Sequence, residues 1–151
     1  MKCAGNLLIA VQCKGRKFQF QHIGFSHEVN ILMDNKTGNI TGPRNHVPMN
    51  LEKEFDATSP YLYKAIATGQ TLKPAELKWY QINDAGQEEV YFIMLFEGVK
   101  VAGVNPGVTN TKLAAMSQLN HAESVGLLYE RITWHYTDGN IEFTDSWNEQ
   151  A

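Results

Sequence analysis

The 151-residue sequence predicts a mainly β, largely antiparallel protein with one α-helix, in which the strands form a sandwich or a barrel. Apolar and polar residues alternate with a period of two over much of the chain, which is typical of half-buried strands. Short segments with Asp and Gly, which favour hairpin turns, separate these stretches. Because one sheet could not bury so many apolar faces, we expect two layers.

About eight strands are predicted. The first of them fall within residues 1–33, with a weak hairpin turn at Lys14-Gly15. The others are predicted at residues 47–55, 77–82, 90–96, 99–104 and 125–131, with a further β-rich stretch at 132–136. Two further turns are predicted, at 83–86 and 137–140.

One helix is predicted at residues 60–68. Ser59 suits the N-cap and Pro60 the first helical position, where a missing N–H costs nothing. Gly69 suits the residue just past the end. The expected apolar face consists of Leu62, Ala65 and Ile66. Residues 111–119 are equally compatible with a second short helix and with a loop.

Composition predicts one domain, residues 1–151. Hydrophobic residues make up 43% and charged residues 19%, an ordinary globular balance. The net charge of −3 gives no electrostatic basis for holding a phosphate backbone, so we expect no nucleic-acid partner. No run of 18 apolar residues occurs, and we expect no membrane insertion.

The N-terminus resembles a signal peptide only faintly. One Lys precedes an apolar stretch of five residues, 7–11, and a strand explains this pattern better. Cys3 and Cys13 have no CxxC partner, and we interpret them as free thiols in a reducing compartment. A disulfide between them would need an oxidising export route.

No motif for catalysis, a cofactor or a metal is recognisable. No two histidines stand four residues apart with an intervening Glu in the HExxH manner. We interpret each histidine as a surface or half-buried residue rather than a ligand; the five are His22, His27, His46, His121 and His135. Nucleophile-elbow, dinucleotide-binding and phosphate-loop patterns do not occur. We therefore predict no catalytic, cofactor-binding or metal-binding residues.

Three acidic residues and two tryptophans have ordinary structural interpretations. Asp138, Glu142 and Asp145 flank a predicted turn, where acids are expected to be solvated. Trp79 and Trp134 occupy strand positions and are expected to pack in the core.

The most unusual feature is a polar segment of thirteen residues, predicted as a loop. It consists of Asp34, Asn35, Lys36, Thr37, Gly38, Asn39, Ile40, Thr41, Gly42, Pro43, Arg44, Asn45 and His46. Loops of this length are usually functional or mobile, although a solvated hairpin excursion is the alternative. A small β domain with such a loop and no catalytic cluster is typical of a binding or assembly module.

Three blocks of sequence resemble the Hcp (haemolysin-coregulated protein) family of the type VI secretion system. The first block is DNKTGNITGPRNH followed by EFDATSPYLYKAIATGQTLKPAELKWY. The second is QINDAGQEEVYFIMLFEGVKVAGVNP, and the third is YERITWHYTDGNIEFTDSW. Their order, their spacing and the KWY and ITW…DSW signatures are specific to the family.

The resemblance implies a mainly β fold in which two antiparallel sheets form a barrel-like sandwich with one flanking α-helix. It further implies a structural protein rather than an enzyme. It implies hexameric rings that stack into the inner tube, with a spike protein at the tip, a contractile sheath around it and effector proteins in the lumen. It also implies assembly in the bacterial cytoplasm and secretion by the apparatus itself, without a signal peptide. The segment 34–46 would be a self-assembly loop that reaches a neighbouring protomer or ring, and the helix 60–68 a further contact.

Some segments depart from the family pattern. Residues 1–33 match poorly except for HEVNIL, residues 107–122 differ, and Gly126 interrupts a strand that should be regular. A lost first strand would expose a sheet edge. A divergent paralogue with weakened assembly, or an effector-binding adaptor ring, is therefore the alternative function. The chain ends at Ala151, and we expect no C-terminal toxin domain.

Overall fold

The computed structural model describes residues 3–13, 16–108 and 121–149, with side chains from residue 24 onward. The predicted turn at Lys14-Gly15 and the uncertain segment 111–119 lie outside the described residues. So do the thiols of Cys3 and Cys13 and the imidazole of His22.

Twelve strands and one helix occur in the described residues, more strands than the eight predicted. They are β1 (Cys3–Cys13), β2 (Arg16–Ser26), β3 (Val29–Met33), β4 (Ile40–His46), β5 (Met49–Glu54), α1 (Ser59–Thr68), β6 (Thr71–Leu72), β7 (Ala75–Ile82), β8 (Glu88–Glu97), β9 (Val99–Gly107), β10 (Ala122–Leu128), β11 (Arg131–Tyr136) and β12 (Ile141–Ser146). In the described part of the chain, no helix is long and apolar enough to cross a membrane.

Ten strands form one antiparallel sheet that is divided into two halves. The order is β12-β11-β8-β7-β1 in one half, continued by β2-β5-β10-β9-β6 in the other. The halves pack face to face around one apolar core, which confirms the predicted mainly β, sandwich-like architecture. The core residues are Met49, Leu51, Leu62, Ala65, Leu72, Ala75, Leu77, Met94, Phe96, Val99, Val101, Val125, Leu127, Tyr129 and Ile132.

The N-terminal strands lie at the centre of this sheet. β1 pairs with both β2 and β7, and β2 pairs with β5. The poorly matching N-terminus therefore joins the two halves, so the expected exposed edge does not arise there. The edges of the ten-stranded sheet are β12 and β6.

The β-rich stretch 125–136 divides into two strands that enter different halves. β10 pairs with β5 and β9, whereas β11 pairs with β8 and β12. The chain crosses between them at Tyr129 and Glu130, and the Glu130 N–H donates to the Glu97 carbonyl at 2.9 Å. The irregularity expected at Gly126 is a shift of register between Gly126 and Leu127 against β9.

Helix α1 has the predicted bounds except at its cap. The N-cap is Thr58, with no side-chain capping hydrogen bond, and Ser59 is already helical. The Ser59 hydroxyl instead donates to Glu123 Oε1 at 2.6 Å, which removes it from the capping role. Gly69 ends the helix in the left-handed conformation, as predicted. Ile66 is 38% exposed, so Leu62 and Ala65 alone form the buried face of the predicted three.

Candidate assembly surface

The polar segment 34–46 is half loop and half strand, not the continuous loop that was predicted. Residues 34–39 connect the strands, whereas Ile40–His46 is β4 and pairs antiparallel with β3. The two strands form a separate two-stranded sheet. The low apolar content of the segment concealed the strand, because β4 has one exposed face and few apolar residues to mark the alternation.

Asp34 organises the turn at the tip of this hairpin. Its carboxylate accepts hydrogen bonds from the Lys36 N–H at 2.9 Å and the Thr37 hydroxyl at 3.0 Å. The Lys36 N–H lowers the pKa of Asp34, followed by the Thr37 hydroxyl, so the carboxylate stays ionised. Gly38 has a φ of 71° and donates its N–H to the Asp34 carbonyl at 2.7 Å.

The hairpin exposes a group of large apolar side chains despite its polar composition. They are Val29 (39% exposed), Ile31 (41%), Leu32 (58%), Met33 (56%) and Ile40 (67%). Met33 and Ile40 are directly opposite each other in the register. A two-stranded hairpin is only marginally stable in water by itself. Exposed apolar groups clustered on it are typical of a surface that a partner covers. We call residues 29–46 the assembly hairpin.

The base of the assembly hairpin is joined to β12 by an ion pair. Arg44 Nε donates to Asp145 Oδ2 at 2.5 Å, and Arg44 Nη2 donates to Asp145 Oδ1 at 2.6 Å. Arg44 also donates to the Glu149 carbonyl. This two-pronged geometry is the strongest form of Arg–carboxylate contact. Asp145 is therefore paired and largely buried rather than solvated, which corrects the sequence prediction.

His46 continues the same connection and is not a surface residue. It is 3% exposed, and its Nε2 lies 2.9 Å from Asp145 Oδ2. Arg44 and His46 are two residues apart, so both side chains lie on one face of β4. The Trp147 ring stacks on His46 at 5.7 Å between centroids. The interpretation of His46 as a surface or half-buried residue is therefore wrong, because the C-terminal strand covers this face of the hairpin.

The Tyr129 hydroxyl extends the connection to a second histidine. It lies 2.9 Å from His46 Nδ1 and 2.6 Å from His27 Nε2. Tyr129 is 4% exposed, whereas His27 is half-buried, as predicted. We call the group His27, Arg44, His46, Tyr129 and Asp145 the anchor network.

The anchor network perturbs the ionisation of its members. The hydrogen bond from Arg44, with a smaller one from His46, lowers the pKa of Asp145 although burial opposes ionisation. Burial raises the pKa of the Tyr129 hydroxyl, and Asp145 adds to the effect. Burial lowers the pKa of His27, with a contribution from His46.

No motif in the sequence marks the anchor network. The residues that it bonds to one another lie 83 to 102 positions apart along the chain, so spacing carries no signal. In the described part of the chain, no group of three or more His, Cys, Asp or Glu side chains could hold a metal ion.

A second apolar surface lies at the sheet edge formed by β11 and β12. Ile141 and Phe143 are each 65% exposed, and Tyr136 is 39% exposed. Trp134 stacks on Phe143 with ring centroids 5.9 Å apart. Trp134 is thus only partly buried, although it packs against the core, where it was predicted to lie.

Helix α1 contributes exposed apolar groups of its own. Tyr61 is 39% exposed and Tyr63 is 42% exposed, next to Ile66. The predicted contact at residues 60–68 therefore has a suitable surface, and its use in assembly remains a prediction.

Comparison with known proteins identifies the family. The model of the type VI secretion system effector Hcp family matches residues 10–136. The "Major exported protein" of Pseudomonas aeruginosa PAO1 is 31% identical over 134 residues, which cover 89% of this chain and 78% of the relative.

Solved structures agree. Hcp1 from E. coli EAEC 042 is 44% identical, with a TM-score of 0.79, and the match covers 93% of this chain and 97% of that one. The secreted protein Hcp3 from Pseudomonas aeruginosa is 23% identical, with a TM-score of 0.72, and the match covers 95% of this chain and 98% of that one. At this identity, the likeness supports the fold of this chain and nothing more. This chain therefore belongs to the Hcp family of the type VI secretion system and is a secreted structural subunit that self-assembles into the system's inner tube.

Proposed function

We propose that the assembly hairpin is the part of this subunit that docks on a neighbouring copy when rings form or stack. Six copies would make one ring, and stacked rings would make the tube. The observation that carries this proposal is the apolar surface of the hairpin, with Leu32, Met33 and Ile40 each more than half exposed on a two-stranded sheet.

Two features of the hairpin support docking on a neighbouring copy. Its apolar groups stand on a sheet that gains no third strand from the described part of its own chain. A strand or side chains from another copy would remove this apolar area from water, which contributes roughly 25 cal/mol for each Å² buried. The polar residues between these groups suit a contact that must also dissolve.

The apolar surface at β11 and β12 provides a second patch for the subunit contact. A ring of identical subunits needs a heterologous interface, in which one patch meets a different patch. The assembly hairpin and the face with Ile141 and Phe143 are two such patches on different elements of the molecule. We propose that they belong to the two sides of the subunit contact.

The remaining parts of the function follow from the family. We propose that the subunit has no catalytic step, that the ring lumen holds effector proteins, and that the tube contacts a spike protein and a sheath. Assembly in the cytoplasm would precede export by the apparatus. The shared core of the two sheet halves supports one domain, residues 1–151. The intact central strands β1 and β2 give no support to a paralogue with weakened assembly.

Replacing the two most exposed aliphatic groups of the hairpin tests this proposal. We expect the double variant Leu32→Ser, Ile40→Ser to lose rings in native mass spectrometry while its circular dichroism spectrum is retained, because both side chains are exposed and contribute little to the monomer core.

Val108→Ser is the matched control, since Val108 is 68% exposed but lies outside the hairpin. The control should assemble like the natural chain. Rings of normal mass and yield from the double variant would show that the hairpin is not the contact.

A further inference from the structure

The hydroxyl of Tyr129 lies between two imidazoles, and when both imidazoles are neutral only one arrangement of the protons satisfies every hydrogen bond. The Asp145 carboxylate is ionised and can only accept hydrogen bonds, so His46 Nε2 must donate to it. Neutral His46 then has an acceptor at Nδ1, which receives the Tyr129 O–H. The Tyr129 oxygen is left to accept the N–H of His27 Nε2.

The result is a one-directional chain of hydrogen bonds that is complete when both imidazoles are neutral. It runs from His27 through Tyr129 and His46 to Asp145, where Arg44 neutralises the terminal carboxylate. The polar side-chain atoms of Tyr129, His46 and Asp145 all have partners in it. Hydrogen bonds in such a network strengthen one another.

The chain joins the base of the assembly hairpin to the body of the molecule. His27 lies between β2 and β3, and His46 is the last residue of β4. Tyr129 follows β10 and Asp145 lies in β12. The two histidines therefore stand where the chain enters and leaves the hairpin, and each is held by the same hydroxyl.

We propose that His27 and His46 form an acid-sensitive latch on the assembly hairpin, so that protonation of this pair releases the hairpin and disassembles the tube. The release of the hairpin follows from the anchor network itself, whereas its effect on the tube rests on the function proposed above.

Protonation of both imidazoles breaks the chain. If only one of them is protonated, every hydrogen bond can still form, because the Tyr129 O–H can turn toward the neutral ring. When His27 Nε2 and His46 Nδ1 both carry a hydrogen, the Tyr129 oxygen must accept from both, and the hydroxyl proton is left without an acceptor in a site where Tyr129 is 4% exposed. An unsatisfied buried donor is destabilising.

Protonation of His27 places a second positive charge beside the same hydroxyl. The titratable groups that face His27 are Tyr129 and His46, and its ring also packs against Phe96. Its neighbour Glu28 is exposed and accepts a hydrogen bond from Asn30, while Asp145 lies beyond His46 and is already paired with Arg44. In the described part of the chain, burial and His46 lower the pKa of His27, and no carboxylate is among the groups that act on it.

The direction of the pH effect follows from His27. Burial and His46 lower its pKa below the ordinary 6.5, so the unfolded or released state binds the proton more readily. The stabilisation that neutral His27 gives is complete well above pH 6.5. It is lost as the pH falls below 6.5 and through the lowered pKa of His27. Because the pKa of Asp145 is lowered, its pair with Arg44 survives in the same range. Acid should therefore loosen the hairpin before it unfolds the sandwich.

Hydrogen exchange against pH tests the latch. We expect the protection of the β3 and β4 amides, corrected for intrinsic exchange, to fall by about tenfold between about pH 7.5 and about pH 5, while the β7 and β8 amides stay protected. In His27→Gln, whose amide can still donate to Tyr129 but cannot be protonated, this fall should be reduced by more than half.

The exposed His135 provides the matched control, because it bonds to Asn140 away from the hairpin. His135→Gln should retain the full pH response. An unchanged response in His27→Gln, or no response in the natural chain, would overturn the latch. Should His27→Gln fail to fold, an NMR titration of the natural chain decides instead, since the His27 midpoint must lie below 6.5 and coincide with the loss of hairpin protection.

Ring mass measured in the same samples separates this inference from the function on which it rests. If acid lowers the protection of the hairpin amides while the rings stay intact, the latch is supported and the hairpin is not part of the subunit contact. A pH-independent hairpin whose Leu32→Ser, Ile40→Ser variant still loses rings would keep the contact and remove the latch.

Discussion

At the scale of single residues, the most demanding site is a buried ion pair beneath helix α1. Lys53 is fully buried and its Nζ lies 2.6 Å from Glu123 Oε1, which is also buried. Lys53 further donates to Asp56 at 3.0 Å and Ser59 at 3.2 Å. Burial opposes ionisation of Asp56, but hydrogen bonds from Thr58 and Lys53 outweigh it and lower the pKa. Each charge needs the other, because removal of one leaves the other buried without its closest counter-charge.

Removing the carboxylate of Glu123 should be strongly destabilising. We expect Glu123→Ala to lower the free energy of unfolding by about 3–5 kcal/mol, because it takes the closest anion from the buried Lys53 ammonium. Urea denaturation of the monomer measures the change. Glu142→Ala, at an exposed position of β12, is the control and should stay within about 0.5 kcal/mol of the natural chain. Similar losses in both variants would contradict the role of the pair.

At the scale of elements, the assembly hairpin shows how two glycines of one segment differ. Gly38 has a positive φ of 71° in the turn, whereas Gly42 lies in β4 and has no positive φ. A Cβ at Gly42 would lie 3.1 Å from the Leu32 side chain, which is exposed and able to move. Replacement of both glycines would therefore act mainly through Gly38.

A single methyl group at Gly38 isolates the backbone effect. A Cβ there has nothing within 4 Å, so Gly38→Ala adds no clash and costs only the left-handed conformation, about 1–2 kcal/mol. We expect faster amide exchange in β3 and β4 and fewer rings at equal concentration. Gly103→Ala is the control, since it has equally open surroundings without a positive φ. Equal exchange rates in the two variants would show that the turn does not control the hairpin.

At the scale of the whole molecule, charge opposes assembly. Each subunit carries a net charge of −3, so a ring of six carries −18. Rings of the same sign repel one another along the tube axis, and salt screens this repulsion. The screening length falls from about 30 Å at 0.01 M to about 8 Å at 0.15 M ionic strength.

Stacking of rings should therefore strengthen with salt. We expect longer stacks in negative-stain images and analytical ultracentrifugation at about 0.15 M than at about 0.01 M ionic strength. The double variant Asp84→Asn, Asp138→Asn changes two exposed turn residues and reduces the charge of a ring of six from −18 to −6. It should stack at lower salt than the natural chain. Stack lengths that change neither with salt nor in this variant would contradict the electrostatic account.

Elements whose signals are local could be predicted from the sequence alone. Alternating residues predicted β7 and β9, and a continuous apolar run predicted β8. The Asn-Asp-Ala-Gly and Asp-Gly turns predicted two hairpins, and Gly69 predicted the end of α1. These signals depend on neighbours along the chain, which a sequence displays directly. The KWY and ITW…DSW blocks also identified the family before any coordinates.

Features that depend on distant residues became visible only in the folded chain. His46 is buried and Asp145 is paired with Arg44, although the sequence had indicated a surface or half-buried histidine and a solvated acid. The tertiary structure also placed β4 within the polar segment and the poorly matching N-terminus at the centre of the sheet. Burial and hydrogen bonding of a polar side chain are set by the elements that fold over it, about a hundred residues away in the anchor network, and no local pattern records that contact.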